Sequence, residues 1–214
     1  MLWSPLRPSR KRLRSRVVEG SGTGRLEAFS DGVFAIAATL LVLEFSINEG
    51  GDLGSQLLHL WPSYLAYATS FLTIGIVWMN HHFCVETMGR VDRTLMFLNL
   101  LLLLTVSFLP FPTQLVAQHL HEKPAALTYG ATFLVMAAIY NLWWRYASTG
   151  RRLIREDVPE ATLGAITRAF NPGVPMYATV FGLAFWSPAA SVALTFAIAA
   201  FYLPSAALFD RVTD

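Results

Sequence analysis

Long apolar stretches separated by short polar connections dominate the chain. Six stretches reach or approach the roughly 20 residues that a helix needs to cross the hydrocarbon core of a bilayer. They cover residues 26–47, 57–80, 93–118, 125–147, 162–186 and 188–209. Polar breakers separate them, such as NEGGDLGS after the first stretch and HEKP after the third. The pattern predicts an all-α integral membrane protein with six transmembrane helices.

The placement of positive charge orients this predicted bundle. The chain holds 16 Lys and Arg residues, and if six spans are assumed, all but Lys123 fall on the same side of the membrane. Cytoplasmic connections carry the excess of Lys and Arg, so both termini are predicted to lie in the cytoplasm. Only 14% of the residues are charged, whereas a soluble domain is about a quarter charged. We therefore expect a multi-pass protein of the cell membrane.

The first 24 residues form a separate, basic region. Within it, RPSRKRLRSR is followed by the polar spacer VVEGSGTG and not by the apolar core of a signal peptide. We predict that residues 1–24 are a disordered cytosolic tail and that residues 25–214 are the six-helix transmembrane domain. The charge of the tail either fixes the topology or contacts anionic lipid. Nucleic-acid binding is not expected of so short a tail on a membrane protein.

Prolines interrupt two of the predicted spans. The segment NPGVP, from Asn171 to Pro175, removes two backbone donors from the fifth span. In a bilayer, neighbouring helices or water must then satisfy the freed carbonyls. The segment therefore predicts either a kink or a broken helix that forms an ion site. Pro110 and Pro112 predict a bend near the outer end of the third span.

Asp31 is an ionisable residue one or two turns inside the first span, where a carboxylate needs a partner. Arg25 lies six residues earlier, too far for a pair on one face of a helix. The second and third helices offer candidate partners at the same predicted depth: Trp78, Asn80, His81, His82 and Asn99. A buried hydrogen-bonded cluster of this kind locks helices together. The alternative is a direct role of Asp31 in ion or proton handling.

The sequence gives no sign of an enzyme or of a cofactor site. Adjacent residues such as His81 and His82 diverge by about 100° on a helix, so they rarely ligate one ion. Cys84 is the single cysteine, which excludes an internal disulfide and a cysteine-based metal cage. Carbonyl filter loops, arginine-repeat voltage sensors and phosphate-binding glycine loops are also missing from the sequence. We expect no bound metal, no cofactor and no catalytic residues.

The first span has a continuous apolar face. Ile36, Leu40, Leu43 and Ile47 follow one another at spacings of four, three and four residues. Thr39 adds a hydroxyl group, and small alanines beside this face permit the close approach of another helix. Periodicity alone does not distinguish this face from that of an ordinary packed helix.

Two motifs show a resemblance to a known family. Residues 25–43 follow the pattern R-x-x-x-F-S-D-G-V-F-A-I-A-x-T-L-L-V-L, and WMNHH at 78–82 precedes RVDRTLMFLNLLLLLTVSFLPFPTQL at 90–115. Together they resemble the prokaryotic branch of the endosomal and lysosomal potassium channel family, the transmembrane protein 175 family. The likeness covers roughly residues 25–120.

The resemblance implies an assembly and a set of site residues. Animal members carry two six-helix repeats and pair as dimers, so this single repeat is expected to form a homotetramer around a central pore lined by the first helix of each subunit. Ile36 is expected to form the pore constriction, with Leu40 and Leu43 as further apolar layers and Thr39 and Ile47 as secondary pore-lining residues. A network at the cytosolic end is expected to join the polar residues of the second and third helices to Arg25, Phe29, Ser30 and Asp31.

These implications predict a potassium-preferring cation channel that conducts passively through a hydrophobic constriction. Its expected partners are potassium ions, membrane lipids and three further copies of the chain, and its single repeat favours a bacterial inner membrane. Glu44, near the outer mouth, either concentrates cations or faces lipid headgroups. The alternative is a proton-conducting channel or proton-coupled carrier that uses Asp31 and the nearby histidines. A third class, a non-conducting membrane scaffold, also remains open.

Overall fold

A computed structural model of the protein describes the backbone of residues 10–46 and 52–206 and the side chains of residues 22–46 and 52–202. Its helices are α1 (Arg10–Leu40), α2 (Leu53–His59), α3 (Trp61–Glu86), α4 (Arg93–Phe108), α5 (Pro110–Gln118), α6 (Lys123–Ser148), α7 (Glu160–Phe170), α8 (Gly173–Leu183) and α9 (Pro188–Ala206). Within these residues, extended backbone pairs only in one isolated antiparallel bridge, between Met88 and Ile154. The predicted all-α fold is confirmed.

Several helices have the length and composition of membrane spans. Three segments qualify singly, namely Gly22–Glu44, Arg93–Gln118 and Lys123–Arg151. A fourth qualifies if α2 and α3, which meet at 49°, count as one span. The last apolar helix, Pro188–Tyr202, is shorter, and the predicted fifth span is divided between α7 and α8. The apolar helices of a membrane protein are thus present. That they form six membrane spans remains a prediction.

Helix α1 starts earlier than the predicted first span. The helix begins at Arg10, so residues 10–24 of the predicted tail continue α1. Arg and Lys are good helix formers, and the last proline of the tail, Pro8, precedes this segment. Residues 1–9 and Ile47 lie outside the described residues.

Asp92 caps the start of α4 and ties it to the end of α6. Its Oδ1 accepts a hydrogen bond from the Leu95 backbone N–H at 2.8 Å, and its Oδ2 accepts one from the Tyr146 hydroxyl at 2.7 Å. Burial by itself raises the pKa of this carboxyl. The two hydrogen bonds and the positive charge of Arg152 outweigh that effect, so the pKa of Asp92 lies below its usual value.

Helix breaks occur where the prolines stand. In the third predicted span α4 ends at Phe108, and α5 begins at Pro110, in the first helical position that proline tolerates. In the fifth, α7 ends at Phe170 and α8 begins at Gly173. Side chains of α6 satisfy polar groups at this second break.

The break between α7 and α8 is bonded to α6. Asn141 Nδ2 donates to the carbonyl of Phe170 at 3.2 Å, and Arg145 donates from Nη2 to Asn171 Oδ1 at 2.9 Å. Arg145 Nε also donates to Asn141 Oδ1 at 2.6 Å. Because a freed carbonyl is occupied by a neighbouring helix, these contacts support a kink over an ion site.

Helix α6 is central to the packing and contacts α4, α5, α8 and α9. Trp143, Trp144 and Phe133 are among its fully buried side chains. At Gly130 it approaches α8 so closely that an added Cβ would lie 3.2 Å from the Phe181 Cα. The missing side chain of Gly130 therefore sets the distance between these two helices.

Candidate functional site

Helix α1 has a buried face and an exposed face. The buried residues are spaced by three or four positions and pack against α3 and α4. They are Leu26, Ser30, Phe34 and Ala37, and Leu41, just past the end of α1, continues the series. This spacing places one stripe of the helix against its own subunit. The remaining surface of α1 is free to face lipid, water or another copy of the chain.

The exposed face carries the residues predicted to form the constriction. Ile36, Leu40 and Leu43 are 61%, 40% and 72% exposed in the isolated subunit. Thr39 is also exposed, and its hydroxyl donates to the carbonyl of Ile36 at 2.9 Å. The α-helix tightens into a 3-10 turn over Leu41–Glu44, so Leu43 lies on this turn. Ile36, Leu40 and Leu43 form a continuous apolar strip toward the C-terminal end of the helix.

A buried series of hydrogen bonds fastens α1 at Ser30 to α3 and α4. Ser30 Oγ donates to the carbonyl of Leu26 at 2.8 Å and accepts from Asn99 Nδ2 at 2.9 Å. Asn99 Oδ1 lies 2.8 Å from His81 Nε2. Ser30, His81 and Asn99 are all buried, so these hydrogen bonds are shielded from water.

The donor and acceptor roles in these hydrogen bonds fix the tautomer of His81. Asn99 uses its amide nitrogen on Ser30, which leaves its oxygen to accept a proton from His81 Nε2. The other ring nitrogen, Nδ1, is buried and has no hydrogen-bond partner among the described residues. The ring packs between Phe34 and Trp143, with centroid distances of 5.5 Å and 4.9 Å. A second proton on Nδ1 would find no acceptor there, so His81 acts as a neutral donor.

A second set of contacts joins the exposed edges of α1 and α3. Trp78 Nε1 donates to Asp31 Oδ1 at 2.8 Å, and His82 Nδ1 lies 2.6 Å from Glu27 Oε1. The rings of Trp78 and His82 are stacked at 6.2 Å. His82 Nε2 also lies 3.6 Å from Glu86 Oε1. Two carboxylates four residues apart on α1 thus meet two rings four residues apart on α3.

The structure brings together most of the predicted cytosolic network. Six predicted residues make contacts between α1 and α3 or α4: Ser30, Asp31, Trp78, His81, His82 and Asn99. Arg25 and Phe29 are exposed and do not join these contacts among the described residues. Asn80 lies in a different place, a cleft shared with α6 and α9.

Glu27 is a member of the network that the sequence analysis missed. Its signal was available, because Glu27 and Asp31 are four residues apart, as are Trp78 and His82 in the neighbouring helix. The described residues include no group of three His, Cys, Asp or Glu side chains placed to hold a metal ion. The contacts therefore describe a junction between helices.

Known proteins match both the sequence and this architecture. The family model for the endosomal/lysosomal potassium channel TMEM175 matches residues 25–110. A potassium channel of Chamaesiphon minutus is 43% identical over 192 residues, which is 86% of this chain and 95% of that protein. The chain belongs to the TMEM175 family. The matched region contains α3, α4 and the part of α1 from Arg25 onward, which together supply the hydrogen bonds that join α1 to α3 and α4.

Two further TMEM175 relatives bear on structure and function. A crystal structure of a lysosomal potassium-selective channel TMEM175 homolog from Chamaesiphon minutus superposes with a TM-score of 0.78 at 41% identity, covering 86% of this chain and 97% of that chain. The endosomal/lysosomal proton channel TMEM175 of Gallus gallus is 35% identical over 131 residues, which is 55% of this chain and 26% of that protein. The names of these relatives thus refer to two different ions, potassium and the proton.

Proposed function

We propose that the chain is a potassium-preferring cation channel that conducts passively through a homotetrameric pore lined by α1. The observation that carries this proposal is that two parts of α1 make different contacts. Its cytosolic half is bonded to its own subunit, while the apolar strip at Ile36, Leu40 and Leu43 is exposed. The potassium-channel names of the Chamaesiphon minutus relatives support the choice of ion.

In this proposal four Ile36 side chains form the narrowest point of the pore. A ring of apolar side chains offers no ligands to replace water, so the constriction is a barrier and not a binding site. Potassium holds its hydration shell less tightly than sodium and loses less on passing. Such a barrier gives modest selectivity and permits gating by dewetting. Leu40, about 6 Å farther along the helix, adds a second apolar layer, and Leu43 a third.

The same proposal includes the membrane arrangement. Six spans are formed by α1, by α2 with α3, by α4 with α5, by α6, by α7 with α8, and by α9. Both termini then lie in the cytoplasm, on the side that carries nearly all the Lys and Arg residues. The domain is residues 25–214, preceded by the basic segment 1–24, and its location is the bacterial inner membrane.

The test is potassium and sodium flux through purified protein in liposomes. The Ile36→Asn variant places a polar group at the constriction, so we expect higher total flux and a lower potassium-to-sodium ratio. Leu104→Asn on α4 is the matched control, because Leu104 is 63% exposed but lies outside α1. Native mass spectrometry should show four copies. Unchanged flux in Ile36→Asn, or a monomer or dimer by mass, contradicts the proposed pore.

A proton channel is the second candidate, favoured by the name of the Gallus gallus relative. The contacts of the predicted relay residues argue against it. Asp31 accepts from the indole N–H of Trp78, a group that only donates. His81 is held as a neutral donor between two aromatic rings.

Equal pH on both sides of the liposome separates the two candidates. The potassium channel is supported if potassium flux persists at equal pH. The same flux should also persist in the folded fraction of the Asp31→Asn variant. Flux that requires a proton gradient and disappears in Asp31→Asn supports the proton-coupled alternative.

A further inference from the structure

A cleft of about 100 Å³ lies on the side of α3 that faces away from α1. Its walls come from α3, α6, α9 and the break between α7 and α8. Most of the lining is apolar and includes Val77, Met136, Ala137 and Phe170. A small apolar cleft with a few polar groups is the usual form of a site for an apolar ligand.

Two polar side chains in this cleft lack a hydrogen-bond partner among the described residues. The Asn80 amide and the Tyr177 hydroxyl both line it, and neither has a hydrogen-bond partner in the part of the chain that the structure describes. The neighbouring Tyr140 differs, since its hydroxyl lies 3.6 Å from Cys84 Sγ. An amide without a partner at the depth of a transmembrane helix is costly. The two groups therefore point to a ligand that has both apolar surface and a hydrogen-bonding atom.

A positive charge stands at one end of the cleft. Asn141 lines the cleft, and Arg145 donates to it from Nε at 2.6 Å. Arg145 Nη2 binds Asn171, which leaves Nη1 without a partner among the described residues. The side chain is exposed, so this nitrogen is accessible to an anion from the membrane interface.

The order of these groups matches the order of groups in a phospholipid. The cleft follows α3 from Thr73 to Asn80, seven residues or about 10 Å. Thr73 and Asn80 thus mark its length, with an apolar wall between them and the cation of Arg145 at the Asn141 end. We propose that the cleft binds one acyl chain of a membrane phospholipid. Asn80 donates to the ester carbonyl, and the phosphate lies at Arg145.

The bound lipid would cover the bend between α7 and α8, where the helix lacks continuous backbone hydrogen bonds. It supplies the missing partner for Asn80 and fills space that no described side chain occupies. The proposal concerns a lipid site remote from α1, so it holds or fails independently of which ion the channel conducts.

The first experiment compares two photoreactive lipids on the full chain in liposomes. Both are phosphatidylglycerols with a diazirine in the chain, one ester-linked and one ether-linked. The ether lipid lacks the carbonyl, so we expect about fivefold less labelling, the size of one hydrogen bond. Labelled peptides should come from α3, α6 and α8. In Asn80→Leu the difference between the two lipids should disappear.

The second experiment closes the cleft with a matched pair of variants. Ala137 lines the cleft, and Ala138, the next residue, is exposed elsewhere on α6. Ala137→Phe should fill the cleft and remove most of the labelling, whereas Ala138→Phe should not. Arg145→Gln should weaken labelling by both lipids equally.

Several results would overturn the proposal. These are labels that fall outside the cleft, equal labelling by ester and ether lipids in the unmodified protein, equal labelling of the two alanine variants, and crosslinks to a neighbouring subunit at these residues. The ester–ether comparison uses unmodified protein, so it decides the matter even if Ala137→Phe does not fold.

Discussion

Replacing Asn99 by Leu tests the buried hydrogen-bond chain that holds α1. The change keeps the approximate size of the side chain and removes both of its hydrogen bonds, to Ser30 and to His81. Interhelical hydrogen bonds in membranes contribute about 0.6 kcal/mol on average and about 1.7 at most. Two bonds give a range of about 1–3 kcal/mol.

The structure places the expected loss in the upper part of that range. Ser30 keeps its bond to the Leu26 carbonyl, but His81 Nδ1 is already buried without a hydrogen-bond partner in the described part of the chain. Asn99→Leu leaves the His81 ring with no hydrogen-bond partner among the described residues. We expect a loss of about 2–3 kcal/mol, which lowers the melting temperature by about 4–12 °C for a protein of this length.

The single cysteine provides the assay. Cys84 is fully buried and is the one cysteine in the sequence, so a maleimide dye reacts with it only when the bundle opens. A thermal ramp in detergent then reports unfolding directly. Asn80→Leu is the matched control, because it makes the same substitution where no hydrogen bond to another described residue is lost.

A double variant separates coupling from general damage. Adding His81→Phe to Asn99→Leu removes both partners of one bond, so the combined loss should fall short of the sum by at least about 0.5 kcal/mol. A shift below about 1 °C for Asn99→Leu, or a shift equal to that of Asn80→Leu, would show that the buried chain does not stabilise the subunit.

Three further predictions concern other parts of the bundle. Asp92→Asn should destabilise the protein at neutral pH. Because folding lowers the pKa of Asp92, the stability that its carboxylate contributes is present above the unfolded pKa of about 4 and is lost as the pH falls below it. Unfolding curves of the variant and the unmodified protein, followed by tryptophan fluorescence, should therefore converge in acid. Gly130→Leu should lower the melting temperature by forcing α6 and α8 apart, whereas Gly75→Leu should not, since an added Cβ at Gly75 meets no atom within 4 Å; equal shifts in the cysteine assay would refute the packing argument. Trp78→Phe removes the donor to Asp31 and should reduce the yield of assembled protein, measured by size-exclusion chromatography. The potassium-to-sodium flux ratio of the assembled fraction, measured in liposomes, should not change.

The helices were predictable because the bilayer leaves the backbone few choices. Every backbone polar group in hydrocarbon must be satisfied internally, so long apolar stretches become helices. Proline removes a donor at a known position, which is why Pro110 and Pro172 mark the observed breaks. Helix α1 begins at Arg10, before the predicted start of the first span at residue 26, because Arg and Lys are good helix formers.

The partners of the polar residues were less predictable. Asn80, His81 and His82 are consecutive, and the sequence analysis assigned all three to one network. On a helix they point about 100° apart, so His81 and His82 contact α4 and α1 while Asn80 lines a cleft on another side. The depth of a residue along its helix follows from its position in the sequence. The partner that its side chain meets depends on which helices pack around α3.

The sequence by itself determined that this chain is a helical membrane protein of the TMEM175 family. Apolar length, proline positions and the F-S-D motif are local properties, and each keeps its meaning wherever the helices lie. Only the tertiary structure decided which face of α1 is bonded inward and which is exposed, because helical periodicity alone leaves the rotation of a helix in its bundle undetermined. Contacts of Ser30 and Asp31 with α3 and α4 set that rotation and leave Ile36 on the exposed side.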